Sequence, residues 1–574
     1  MAYSKQRDLG STKGTDNDAL LNRLCKRYDR LKETRYLWEP TWQDLADLVM
    51  PRKGTITQRT QEGARLTQRL FDSTAIVANE LLAASLQGAL TSDAFKWFRL
   101  KTRKQELNDN KNVAEWLDEV ADRMYLAFRQ SNLNSELQEV YLDLGCFGNA
   151  CVYMEEADST QAAFSGFRFH YVQIGRWTIS ENKDGLVDTV FRTVAMTAHA
   201  AALRWPTTCG EKIAKVAEND PDKRIYVVHA VYPRSGMHDP GYKGTLPFAS
   251  VYFTYGGASP AGDVGGQYGK CLLAVDGTDY FPYMVPRWTK AINEMYGRGP
   301  GDTALPDIKT LNKAEELTLR AWAKNIDPPL LTRDDGVIGR IKTSPSDIIT
   351  ARDMDAVKPL ETAQRFDVNQ VKSDQKRESI KQIFYNQQLQ LPEGQVMTAT
   401  EVERRYELMQ RFLGPTLGRI TVELLNPLVQ RAFYLMLKRR ALPPPPRELM
   451  SGTTGMEPVD IEYEGPLARA QRATDVQAVE RSLQDLTALL QMDPNVKDNL
   501  DLDWIARLIV ERNGVPPQAL RDLAEVAKIR KARIDAQNQA IQAKQQTEAL
   551  KAVGPAVKGL AALPGVQEAK PSGG

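Results

Sequence analysis

The 574-residue chain has almost no histidine: only His170, His199, His229 and His238. It contains no H-E-x-x-H and no C-x-x-C, so a zinc centre would have to be assembled from distant parts. The five cysteines (Cys25, Cys146, Cys151, Cys209, Cys271) are scattered and odd in number, which points to reduced thiols and synthesis in a cytoplasm. Cys146 and Cys151 lie in the apolar run GCFGNACVYM and read as buried, inert thiols. An excess of one charge is missing too. Lys and Arg number 75 against 73 Asp and Glu, a net charge of +2. The chain is therefore not a general nucleic-acid glue, whose affinity grows with the phosphates it neutralises. Any contact with DNA is local or weak. Long apolar runs are also absent. The most apolar helical stretch, Thr74 to Leu90, is interrupted by Asn79, Glu80 and Gln87, too short and too polar for a bilayer. The start, MAYSKQRDLGSTKGT, has no apolar core, so no secretory leader and no membrane insertion are expected.

What is present is an ordinary globular composition, 42% hydrophobic and 26% charged, in a chain too long for one core. Three or more subdomains are expected, of α+β class. Residues 1–150 read as helical. Leu20, Leu21, Leu24, Tyr28 and Leu31 recur at helical steps, Pro40 breaks the pattern between Trp38 and Trp42, and further helices follow at Thr74–Leu90, Val113–Phe128 and Leu133–Leu144. From Cys151 to Trp288 short β-branched and aromatic runs predict a β-rich domain: VYM, FRFHYV, DTVFRTVAM, RIYVVHAVY, SVYFTY and CLLAV. A helix over Ala198–Arg204 interrupts it. Helix returns at Asp302–Ile326 and Phe366–Tyr385, with short strands between them. A third long helix carries Val402, Tyr406, Met409, Leu413, Leu417, Ile420, Leu424 and Leu428 on one stripe, with a kink expected at Gly414–Pro415. Beyond the stiff Pro443–Pro446 spacer, helices are expected at Arg469–Met492, Leu502–Arg512 and Ala519–Lys551, then a disordered tail.

Two glycine-rich stretches invite a phosphate reading. GDVGGQYGKC would need Gly where Val264 stands and Ser or Thr where Cys271 stands, and it lies between strand-like runs, so it reads as a hairpin loop. YGRGPGD (Tyr296–Asp302) resembles an anion nest but reads better as a turn and helix start. No catalytic constellation survives, and neither enzyme activity nor a cofactor nor a metal is expected.

Two of the long helices are too polar to be stable alone. The middle of Phe366–Tyr385, KSDQKRES, has no apolar residue, and Ala519–Lys551 has few. Such helices bridge neighbours or face a water-filled space. Either they form an exposed hairpin, or copies of the chain pack side by side around a symmetry axis. Between the second and third helices lies NQQLQLPEGQVMTATEV (Asn386–Val402), without lysine or arginine. Thr398 with Glu401, or Thr400 with Glu403, offers a capping box at its far end.

Three stretches taken together, PYMVPRWTKAINEMYGRGPGDTALPDIKTLN (Pro282–Asn312), MTATEVERR (Met397–Arg405) and IEYEGPLARAQR (Ile461–Arg472), resemble the head-to-tail connector, or portal, proteins of short-tailed bacteriophages. The likeness spans most of the chain and is weakest at its two ends. It implies a mainly helical, multi-subdomain portal fold. The copies form a dodecameric ring at one capsid vertex, through which a terminase motor pumps double-stranded DNA and from which the genome leaves through a tail. Implied partners are other copies of the chain, terminase, tail adaptors, and the major capsid and scaffolding proteins. The implied layout is a wing of helices (1–150) and strands (151–301), a first stem helix (302–326), a clip (327–365) and a second stem helix (366–385). A channel loop (386–397), a wing helix (398–441), a crown (442–515) and a barrel helix with a flexible tail (516–574) follow.

On this resemblance Gln387, Gln388, Gln390, Glu393, Gly394 and Gln395 form the loop facing DNA. Lys372, Lys376 and Arg377 are candidates for the channel lining, and Arg333, Arg340 and Lys342 for clip contacts with terminase or adaptor. A loop facing moving DNA should be polar without being cationic, because each lysine on a phosphate adds a salt-sensitive attraction that brakes sliding. Two other classes stay open: a structural tail or scaffold protein of the particle, and a DNA-acting enzyme. The missing metal and nucleotide motifs argue against the second.

Overall fold

The computed structural model describes residues 14–58, 63–93, 96–108, 110–157, 163–234, 246–255, 269–326, 330–332, 357–359, 366–386, 413–451, 455–456 and 458–463. It also describes residues 503, 505–507, 509, 521 and 523–560. The chain divides into two compact units. The first comprises Met1–Leu100, Glu119–Pro444 and Ile461–Gln471, and the second Lys101–Asp118, Pro445–Asp460 and Arg472–Gly574.

Helices α1 (Gly14–Tyr36), α2 (Glu39–Val49) and α3 (Thr74–Leu90) open the chain, and Pro40 sits in the first turn of α2, where a missing N–H costs nothing. After strand β1 (Phe98–Thr102) come α4 (Gln105–Asn108), α5 (Lys111–Arg129) and α6 (Leu133–Phe147). The β-rich part follows: β2 (Val152–Glu156), β3 (Phe167–Tyr171), β4 (Trp177–Glu181), β5 (Val187–Thr197), β6 (Arg224–Pro233), β7 (Phe248–Thr254), β8 (Cys271–Thr278) and β9 (Tyr283–Met284). Helices α7 (Ala198–Arg204) and α8 (Gly210–Asn219) interrupt it between β5 and β6.

Strands β4 to β8 form an antiparallel sheet in chain order, and β3-β2-β9 form a smaller one. Alternation in β6 explains how the large sheet is covered, because successive strand residues point to opposite faces. Val228, Ala230 and Tyr232 join Leu20, Leu24, Tyr28 and Leu31 of α1 in one core. Ile225 and Val227 join Ala201, Trp205 and Ile213 of α7–α8 in the other. Each large apolar side chain so buried contributes roughly 1.5–3 kcal/mol, so two covered faces hold the sheet firmly. Strands β7 and β8 pair antiparallel, so GDVGGQYGKC connects two neighbouring strands; residues 256–268 themselves lie outside the described residues.

The helical part of this unit stacks α3 on α6, and α2 and α6 on α9 (Pro300–Ile326). The glycines of YGRGPGD make that stacking possible. Gly148 ends α6 with φ +69°, and a Cβ on Gly299 would lie 2.7 Å from the Gly148 nitrogen. Any side chain there would drive the two segments apart. The stretch is a close-packing turn and helix start, not an anion nest. Strands β10 (Leu330–Thr332) and β11 (Val357–Pro359) pair antiparallel, and α10 (Phe366–Ile383) follows.

Residues 413–420 are α-helical, Thr421–Leu425 form one π turn, and α11 (Asn426–Lys438) continues. The kink expected at Gly414–Pro415 sits at the edge of the described residues; within them the helix leaves α geometry further on, at Thr421–Leu425. In the second unit, β12 (Met450–Ser451) pairs with β13 (Gly455–Met456) and α12 runs Leu523–Leu560; strand β14 covers Val459–Tyr463. The helix expected over Arg469–Met492 lies outside the described residues. Among the described residues no helix is long and apolar enough to cross a membrane.

Candidate functional site

Helix α9 has 27 residues, about 40 Å at 1.5 Å per residue. Its first half is core: Ala304, Leu305, Ile308 and Leu311 are buried. Its second half is not, and Leu317, Leu319, Trp322 and Ile326 all stand at least 47% exposed. Such a run of large apolar side chains on one helix is unusual for a surface that stays wet.

Helix α10 packs on α9 and α3 through a polar seam. Its inward positions are Ser373, Arg377, Ile380 and the following Phe384, spaced as one helical face. Lys376 donates to Asp307 Oδ1 at 2.6 Å, and Ser379 donates to the same carboxylate at 2.8 Å. Arg377 donates to Asp72 (2.9 Å), Glu315 (2.8 Å) and Asp374 (2.8 Å), tying the segment leading into α3, helix α9 and its own helix together. The Lys376 bond holds the Asp307 carboxyl below the usual range. Burial would raise Asp72, but the Thr74 and Arg377 bonds outweigh it and hold that carboxyl low. So Lys376 and Arg377 carry charges already matched within the subunit, while Lys372 is exposed. The helix that reads as too polar to be stable is held by ion pairs.

The chain leaves α10 by a fixed route. Tyr385 adopts φ +60°, which non-glycine residues seldom do, its ring stands 6.4 Å from Trp288, and Asn386 is buried. The next residues are the loop candidates. Gln387, Gln388, Gln390, Glu393, Gly394 and Gln395 lie outside the described residues, as do both capping boxes and Arg333, Arg340 and Lys342.

Where the chain is described again, the helix is bolted to the β-rich part. Arg287, 1% exposed, receives the Glu423 carboxylate on its backbone N–H (2.9 Å), Nε (3.2 Å) and Nη2 (2.6 Å). It also pairs with Glu181 and donates to the Met295 and Gly185 carbonyls. These bonds outweigh the burial that would lower its pKa, and the guanidinium stays charged. Further along, Arg431 donates to the Met154 and Tyr280 carbonyls, Lys438 pairs with Asp279 at 2.8 Å, and Arg439 pairs with Glu156 at 2.8 Å. His229 is a structural residue: buried, pushed well below its usual pKa by that burial, it bonds Tyr283 and Ser250 and stacks on Tyr252.

Sequence reasoning finds α9 and α10 but misses Asp72, Asp307, Glu315, Arg287 and Glu423. Arginine inside the apolar run YMVPRW is the one available signal for Arg287, since a cation there needs buried partners.

Residues 21–520, which include the helix pair, the anchored helix and the PYMVPRW segment, match the family model described as bacteriophage head to tail connecting protein. The chain belongs to that family. The connector is 29% identical over 536 residues to the probable portal protein of Bordetella phage BPP-1, covering 91% of this chain and 92% of that one. It is 28% identical over 536 residues to the portal protein of Salmonella phage epsilon15, with the same coverage. A chain from the neck of an empty GTA particle superposes with a TM-score of 0.33 and 12% identity, covering 72% of the connector and 90% of that chain.

Proposed function

We propose that the connector is the portal subunit of a phage. Copies form a closed ring at one capsid vertex, DNA passes in and later out through the axial channel, and the tail attaches to the ring. What carries this reading is the family match over residues 21–520, which spans both long helices and the anchored helix. The outer half of α9 supports it: Leu317, Leu319 and Ile326 stand exposed there, and large apolar side chains on one helix suit cover by another copy of the chain.

On this reading α9 and α10 are the stem, residues 327–365 the clip, and residues 386–397 the channel loop. The crown covers 442–515, and α12 stands in the barrel. Twelve subunits, a terminase at the clip during packaging and an adaptor there afterwards complete the proposal, with capsid and scaffolding proteins around the wing. Lys372, exposed on α10, is the stem candidate with charge to offer DNA, since Lys376 and Arg377 are committed to carboxylates. Electron microscopy of the purified protein tests the reading. Closed rings with an axial hole are expected, whereas a monodisperse 64.3 kDa monomer at micromolar concentration in low and moderate salt would overturn it.

A further inference from the structure

Two of the five free cysteines meet at the edge of the large sheet. Cys209 lies where α7 turns into α8, is buried, and shares a core with Leu273 and Ala274 of β8. Cys271 is the first residue of β8, which pairs with β7 alone, and it is only half-buried. Its Sγ donates to the Thr208 carbonyl at 3.2 Å and would stand 3.6 Å from a Cβ on Gly210. The residues on both sides of Cys209 thus border this one sulfur. A peptide oxygen lies about 2.8 Å from the next Cα, so the Cys209 Cα is within about 6 Å of the Cys271 sulfur.

The contacts that hold the two apart are weak. A thiol is a poor donor, so the Thr208 bond is given up at little cost. Gly210, at φ +75°, brings no side chain into the space beside the sulfur. Burial, and after it the nearby Cys209 thiol, push the Cys271 pKa up, which keeps its thiolate scarce at neutral pH and slows oxidation there. Cys25, Cys146 and Cys151 are buried elsewhere, at most 1% exposed.

We propose that Cys209 and Cys271 are a redox staple, whose disulfide fastens the free edge of the sheet to the α7–α8 corner. Hydrogen peroxide is a sufficient oxidant. The Cys271 thiolate attacks one peroxide oxygen, breaking the O–O bond; a sulfenic acid forms, and the hydroxide released takes a proton and leaves as water. Cys209, giving up its proton, then attacks the Cys271 sulfur, and the S–S bond forms as the S–O bond breaks and a second water leaves. Two thiols lose two electrons and two protons, and one peroxide becomes two waters. Under the portal reading above, a subunit folded in a reducing cytoplasm carries the open pair and a released particle the closed one. That significance rests on the portal reading; the bond itself does not.

The test is peptide mass spectrometry of the full-length protein after hydrogen peroxide treatment at pH 8, with remaining thiols capped by iodoacetamide before digestion. A peptide pair linked through Cys209 and Cys271 is expected, formed within one chain on a non-reducing denaturing gel and released by dithiothreitol. Treatment should also raise the melting temperature by about 5 °C or more, reversibly, because the bond closes a loop of roughly 60 residues. Cys271→Ser should abolish both effects, and so should Cys209→Ala, with circular dichroism confirming that each variant folds. Sulfinic or sulfonic acid at Cys271 beside an untouched Cys209, a link to any other cysteine, or a linked pair with unchanged melting would overturn the staple. Ring formation, scored separately by microscopy, tests the portal reading, so the two can fail independently.

Discussion

The Arg377 guanidinium donates to Asp72 Oδ2 at 2.9 Å across 305 residues of chain. Asp72 also accepts from the Thr74 N–H at 2.8 Å, so one carboxylate starts α3 and clasps α10. This pair is why a helix with no apolar residue in its middle still has a place to dock.

Removing it should loosen α10 without unfolding the subunit. Asp72 is largely buried and Arg377 about a third exposed, so the pair lies between a surface and a buried ion pair. A double-mutant cycle with Asp72→Asn and Arg377→Gln should give a coupling of about 1–2 kcal/mol, smaller at high salt. Because the folded-state pKa of Asp72 is lowered, its contribution is present above the unfolded carboxyl pKa and lost as pH falls through the folded value. Denaturant melts across salt and pH measure this, and a coupling near zero would show that the Asp72–Arg377 pair adds nothing and that the Asp307 contacts and the buried Ile380 and Phe384 hold the helix.

Asp302 has the opposite sign. It accepts from the Gly299 N–H at 3.0 Å at the start of α9, yet burial raises its pKa to about 6 and its Oδ1 has no partner. A raised carboxyl pKa stabilises the fold below the unfolded pKa, and that stabilisation is lost as pH rises through about 6. Asp302→Asn should therefore flatten the stability profile between pH 4 and 7, removing a term on the order of 2 kcal/mol. Thermal melts across that range decide it, and parallel profiles for the two proteins would place the proton elsewhere.

Much of this fold is legible in the sequence, for reasons that differ by element. Helices α1, α3 and α6 announce themselves because Leu20, Leu24, Leu31, Leu82, Leu86 and Leu137 repeat at helical steps and are buried. The long strands β5 to β7 stand out through β-branched and aromatic runs. Strands β1 and β4 escape notice, since five residues such as WTISE carry too little pattern. The supports of the site are harder still. Asp72, Glu315 and Arg377 are ordinary charged residues until the fold brings them together, and nothing local distinguishes Glu423 from its neighbours. The π turn at Thr421–Leu425 has one local signal, Pro427 just after it, but the Arg287 that meets Glu423 there lies 136 residues away. The loop and clip residues lie outside the described residues.

The exposed half of α9 makes the ring testable at single positions. Leu319 and Ile326 lie seven residues apart, on one face, at 47% and 85% exposure. Leu319→Lys with Ile326→Lys should cost the isolated subunit under about 1 kcal/mol, because neither side chain is core. The same pair should shift purified protein from rings toward monomers, read by light scattering. If rings persist at parental concentration, these side chains face solvent in the assembly.

The loop between α10 and the anchored helix is the remaining element open to a decisive experiment. Asn386 is buried at its near end, and Leu413, Ile420 and Leu424 are buried in the helix that follows it. Deleting Leu389–Gln395 should therefore spare folding and ring incorporation, because neither anchor is touched. Under the portal reading, twelve such loops approach the axis, and their deletion should impair completion or retention of packaged DNA. Replacing Gln387, Gln388 and Gln390 with lysine adds three cations per subunit at positions that now carry none. Each cation that meets a phosphate displaces counterions, so the slowing should be strongest at low salt and fade as salt rises. Phage assembled with each variant would be scored for ring incorporation, DNA content and ejection rate at two salt concentrations. Parental packaging and ejection by both variants would show that the loop does not touch DNA and serves only as a solvated linker between two helices.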